Sequence, residues 1–328
     1  MHYHVSNLSF KSIAALCVLV STFVANFAVA QSASAQNDSA EGASQSSGES
    51  KDGQANGSGT SSVAESKKVE FIRISKDANE RPEAMQTSIV TYELNKPGFE
   101  GVQVDLIGAV HIAHKEYFEQ LNDEFRTYDA LLYELVADPE VNVPEAGGES
   151  RSAVGQIQIG MKDALGLDFQ LDHIDYTARN FVHADMSPGE FVDDMKKRGD
   201  GFAFMLARML GSSIAAQSNN SGAVDQIQMA RALASDNPEL ELRKVMSKQF
   251  QSMDIQLSGL EDASGRSTLV TERNRKAFDV LEEQLKGGKK KLGIFYGAAH
   301  LEDMNERLIN DFDAKVVQTR WLSAWRLQ

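Results

Sequence analysis

The 328-residue chain has a single cysteine, Cys17, which excludes an intramolecular disulfide. Cys17 lies inside the apolar run Ser12 to Ala30, with Leu16 before it and more apolar residues after it, a setting that argues against a lipoprotein cleavage site. Acidic residues are missing from the first thirty positions, Lys11 is the one basic residue there, and the run closes on Ala28-Val29-Ala30. This pattern predicts a signal peptide over residues 1–30 with a small-x-small cleavage site. An uncleaved anchor is the competing reading, weakened by Ser12, Ser21, Thr22 and Asn26. Basic charge is also in deficit, with 33 Lys and Arg against 47 Asp and Glu for a net charge of −14. Such a surface opposes non-specific binding to nucleic acid or anionic lipid.

Aromatic residues are absent from Gln31 to Ser66, where Val63 is the one branched aliphatic among Ser, Gly, Ala, Gln, Asn and Glu. That composition cannot bury enough surface to offset chain entropy, so residues 31–66 are expected to form a disordered tether. The folded domain is expected to span residues 67–328.

Within it, Val69 to Ser75, Thr87 to Leu94 and Val102 to Ile107 are β-rich runs broken by Pro82, Pro97 and Gly98. His114 to Tyr128 places Tyr117, Leu121 and Phe125 at steps of four, the spacing of an amphipathic helix. Ala130 to Val136 is apolar except for Glu134, as in a strand covered on both faces. Helical periodicity then dominates from about Gln156 to Leu285, most clearly over 202–216, 223–251 and 266–285. Strand character returns at Lys291 to Tyr296, followed by a helix over Leu301 to Phe312 and the segment Lys315 to Leu327. The expected fold is α/β: a central sheet with a mainly helical insertion, or cap, over about 137–265.

Two segments match each other beyond composition. Gly108-Ala-Val-His111 and Gly297-Ala-Ala-His300 each join an apolar strand to an amphipathic helix, and Asp129-Ala130 and Asp313-Ala314 each open a further strand. One strand–Gly-x-x-His–helix unit is thus used twice. Open α/β sheets form their sites at the carboxyl ends of strands, where both histidines are expected. Gly108 and Gly297 allow a tight turn or close backbone approach there.

Glu134, in the middle of an apolar strand, would cost several kcal/mol if buried without a partner. A divalent metal held by His111, Glu134 and His300 would offset that cost, as two imidazoles and a carboxylate do in catalytic metal sites. A metal-free site using the histidines as acid and base satisfies the same residues. His114 could be a further ligand, although its place at a helix start favours a structural role. His173, His183, Asp172, Asp175 and Asp185 crowd the stretch Leu171 to Met186 as potential ligands, substrate contacts or structural groups, with His183 a candidate substrate contact. Arg273 and Asn274, near the start of a long helix, could direct an anion-binding guanidinium and an amide at substrate.

At these residues the chain resembles the TraB/GumN/Tiki (PrgY-like) family, related to the erythromycin esterase and ChaN-like group. The likeness rests on GAVH at Gly108 to His111, Glu134 in ALLYELV, Arg273-Asn274, and GAAH at Gly297 to His300, across roughly Val102 to Leu327. It implies an α/β domain with a helical insertion and, from the Tiki branch, metal-dependent peptide cleavage outside the cell, with His111, Glu134 and His300 as the site. Other branches restrain peptide pheromones, bind haem or open a lactone. The resulting expectation is a periplasmic or secreted hydrolase of a small peptide or other carbonyl substrate, without stable membrane insertion of the mature chain. Its cofactor would be a divalent ion (Mn, Co or Zn), Glu134 ligand or general base, and Arg273 the oxyanion stabiliser. A peptide- or haem-binding protein without turnover and a metal-free esterase are the alternatives.

Overall fold

The computed structural model describes residues 68–136, 164–197, 221–251 and 267–328. The expected leader and tether lie outside the described residues, as does the helix expected over 202–216. The elements in chain order are β1 (Ile72–Lys76), β2 (Pro82–Glu93), β3 (Gln103–Ala109), β4 (Ile112–Ala113), α1 (Lys115–Phe125), β5 (Ala130–Tyr133) and β6 (Asp168–Phe169). There follow α2 (Gln170–His173), β7 (Phe181–His183), α3 (Pro188–Lys197), α4 (Ser221–Leu233), α5 (Pro238–Gln251), α6 (Thr271–Lys286), β8 (Lys291–Gly297), α7 (Leu301–Phe312) and β9 (Lys315–Arg326).

A mixed seven-stranded sheet organises the molecule in the order β1-β2-β3-β8-β5-β7, with β9 also paired to β2. Strands β3, β8, β5 and β7 are parallel. β2 runs antiparallel to β1, β3 and β9. Apolar side chains alternate along the strands, so each face of the sheet has its own core. Met85, Ile89, Ile107, Leu131 and Phe295 pack with Phe118, Leu121 and Phe125 of α1 and with Leu242 and Met246 of α5. Val90, Val104, Leu106, Leu132 and Ile294 pack on the opposite face with Ala277, Phe278 and Leu281 of α6 and Met304 and Leu308 of α7.

This layering sets the position of the site. The chain leaves β3 through α1 on one face to reach β5, beyond β8; it leaves β8 through α7 on the other face to reach β9, beyond β3 and β2. Two adjacent parallel strands whose exits diverge to opposite faces open a crevice at their carboxyl ends, where α/β sheets bind ligands.

Several expectations need correction. Pro82 separates the first two β-rich runs as expected, but β2 starts at Pro82 and not at Thr87, a first position where no ladder donor is needed. The helix expected over 223–251 is divided between α4 and α5, and Asn237 Oδ1 accepts the Leu240 N–H at the start of the second helix. β7 is a sheet strand within the stretch read as helical, and three residues are too few to show a period. In the expected cap region, α4 and α5 pack against the sheet face, where Phe250 meets Trp325 edge-on.

Candidate active site

Glu134 lies one residue past the end of β5, not within a strand, because the apolar run continues into Leu135 and Val136 after sheet pairing has stopped. β8 lies between β3 and β5. The Glu134 carboxylate therefore meets the end of β8, and Oε2 accepts the Gly297 N–H at 2.6 Å. A Cβ on Gly297 would stand 3.2 Å from that oxygen, so the missing side chain is what allows the approach.

Arg273, at the start of α6, is buried between two acids. Its Nε and Nη2 form a fork on Asp185, at 2.9 and 2.6 Å, and Nη2 also donates to Glu134 Oε1 at 2.6 Å. Asp185 is fully buried, two residues past β7, and takes the Met186 N–H as well. Burial alone would push the Glu134 carboxyl up, but Arg273, the two histidines and the Gly297 N–H hold it well below the usual carboxylate range. Burial likewise opposes the charge on Arg273, and Asp185 and Glu134 outweigh it.

His300, in a 3-10 turn joining β8 to α7, is held by Asn274. Its Nδ1 lies 2.6 Å from Asn274 Oδ1. The Asn274 amide nitrogen donates to the His300 carbonyl at 3.0 Å and to Asp303 at 2.8 Å. A carbonyl can only accept, so the amide oxygen faces the ring and Nδ1 carries the proton. His300 Nε2 then presents a lone pair 3.5 Å from Arg273 Nη1 and 3.6 Å from Glu134 Oε1. Burial drives the His300 pKa down to about 4, so the ring is neutral at pH 7; Glu134 resists and Arg273 adds to the effect.

His111 is two residues past β3 and only partly buried, so it is the more open histidine. Burial lowers its pKa too, against the pull of Glu134 and with Arg273 reinforcing. The two copies diverge after their glycines, since the first runs into β4 and the second into the 3-10 turn. Gly108 lies in a closely packed place: a Cβ would sit 3.4 Å from Leu301 Cδ1, the Ser88 carbonyl oxygen and Thr87 Cβ.

Of the two proposed substrate contacts, Asn274 has both amide atoms engaged by the protein and His183 one ring nitrogen. Asn274 is wholly buried and orients His300. His183 Nε2 lies 2.6 Å from the Leu135 carbonyl and braces the segment that carries Glu134. His114 stands at the start of α1 with its ring 3.1 Å from the Ala324 carbonyl of β9. Asp185, read in sequence as one of several acids of structural or ligand character, is the anchor of the site. Its one signal was an acid between apolar Ala184 and Met186.

Among the described residues no group of three or more His, Cys, Asp or Glu side chains is disposed to hold a metal ion. The Arg273 guanidinium occupies the space between Glu134 and Asp185 that a cation would take. No helix among the described residues is long and apolar enough to cross a membrane. The chain matches no protein-family model and no curated protein.

Proposed function

We propose that the chain is an exported hydrolase, periplasmic or secreted, acting on a peptide or related carbonyl substrate at the crevice between β3 and β8. The observation that carries this reading is the convergence of His300 Nε2 on Glu134 Oε1, 3.6 Å away, and on Arg273, itself held by Glu134 and Asp185, at the carboxyl edge of parallel strands. Ionisable groups with displaced pKa values in a cleft mark functional sites. The likeness to the TraB/GumN/Tiki family at Gly108 to His111, Glu134, Arg273-Asn274 and Gly297 to His300 supports the same reading. The segment over 137–265 would select the substrate.

In the proposed mechanism, a water beside His111 gives a proton to that ring as its oxygen attacks the carbonyl carbon. Glu134, kept ionised, stabilises the imidazolium that forms. Arg273 Nη1 is the guanidinium nitrogen not engaged by either acid and donates to the developing oxyanion. Collapse of the tetrahedral intermediate breaks the bond to the leaving nitrogen or oxygen, which takes the proton back from His111.

The test is turnover of nitrophenyl esters and fluorogenic peptides by the purified chain and by H111Q and E134Q, with and without chelator. Each substitution should lower kcat/KM by roughly 10²–10⁴-fold. Graded loss of ligand affinity with no turnover by the unsubstituted chain would sink hydrolysis in favour of peptide or haem binding. A divalent-ion form (Mn, Co or Zn) is the second reading, resting on the approach of His300 Nε2 to 3.6 Å from Glu134 Oε1. His111, Glu134 and His300 would then hold an ion that supplies an activated water, after Glu134 exchanges Arg273 for it. Loss of activity with chelator, restored by one of these ions, would select that form.

A further inference from the structure

His111 and Gln170 face each other across the β4–β6 ribbon. The pairs Ile112 with Phe169 and Ala113 with Asp168 fix an antiparallel register, and the Gln170 N–H donates to the His111 carbonyl at 2.8 Å. His111 and Gln170 are therefore the next pair in register, with side chains on the same face. Gln170 is 7% exposed, and its amide nitrogen lies 2.6 Å from the hydroxyl of buried Tyr176. Its Oε1 is buried and makes no hydrogen bond of good geometry. Leaving a buried acceptor unmet is destabilising, because it has given up its water without a replacement donor. The imidazole opposite can supply the missing N–H, and the Gln170 side chain does favour the protonated ring.

We propose that Gln170 is a positioning residue of the site: its Oε1 takes the N–H of His111 and leaves the other ring nitrogen as a bare acceptor for water or substrate. Asn274 performs the same task for His300. Each Gly-x-x-His histidine is thus matched to a carboxamide. A carboxamide selects the tautomer without adding charge, whereas a carboxylate would also draw the ring toward its cationic form. The consequence for rate rests on the hydrolase reading; the tautomer does not.

The experiment is the imidazole ¹⁵N spectrum at pH 8 of the full chain labelled at histidine, with His111 assigned by comparison with H111N. A single His111 tautomer is expected in the unsubstituted chain and in Q170E, which offers only acceptor oxygens, and a mixture in Q170L. With a hydrolysed substrate in hand, Q170L should lower kcat roughly 10–100-fold with KM little changed, and Q170E should recover most of it. Two tautomers in the unsubstituted chain, or opposite tautomers in it and Q170E, would overturn the proposal, as would an undiminished kcat in Q170L. If Q170L does not fold, the other two spectra decide. Failure of the chain to hydrolyse any ester or peptide removes the hydrolase reading, while one tautomer shared with Q170E still upholds the role of Gln170.

Discussion

At the scale of single residues, the site depends on Arg273 more than on either histidine, because one guanidinium compensates two buried acids. Arg273→Ala should destabilise the fold by about 3–5 kcal/mol, since Asp185 and Glu134 would remain buried without a counter-charge. Arg273→Lys keeps the charge but loses the fork on Asp185, so it should fall between; urea unfolding of both variants ranks them. A Lys variant as stable as the unsubstituted chain would show that charge alone suffices. His300 makes a pH prediction. Its folded pKa of about 4 lies below the ordinary value of 6.5, so the unfolded chain binds the proton more tightly. The stability associated with neutral His300 is then full above about pH 6.5 and is lost as pH falls toward 4. His300→Gln should flatten that part of the urea midpoint profile, and an unchanged profile would refute the assignment. Sequence made His111, Glu134 and His300 visible because the motif repeats and an acid interrupts an apolar run. It did not reveal that Asp185 joins Arg273, because that contact spans 88 residues and follows no period.

Elements were legible where they are long. The periodicity of α1 and α7 and the apolar runs of β3 and β8 locate them to within a few residues, because each must cover one face of the sheet. Termini were less so: β5 stops at Tyr133 although the apolar run continues, since hydrophobicity reports burial and not pairing. The strand order carries its own prediction. β8 threads between β3 and β5, and a Cβ at Gly293 would lie 2.7 Å from Leu131 Cδ1 and 3.1 Å from Ile107 Cδ1. Gly293→Ala should cost about 1–3 kcal/mol by overpacking, measured as a lower urea midpoint. No change would mean that Leu131 repacks freely.

Across the whole molecule, the excess of acid was readable directly, whereas the topological order was not, because pairing partners are set by packing of the complete chain. Residues 31–66 lack the apolar surface to join the core, so their deletion should leave the unfolding midpoint and any turnover unchanged. A lower midpoint after deletion would show that they pack on the domain. β9 is the opposite case. It runs along almost all of β2, Gln86 reaches Ser323 across 237 residues, and the Trp325 indole donates to the Ile112 carbonyl at 2.7 Å, just after His111. A polypeptide emerging amino end first therefore cannot complete its centre until β9 has arrived. Assembly is timed by β9: the nascent chain stays unfinished until that strand pairs, in a late step whose long-range pairing makes it slow. Stopping the chain before Lys315 should abolish the cooperative unfolding transition, and a truncated chain that folds as well as the full one would show that the schedule is set elsewhere.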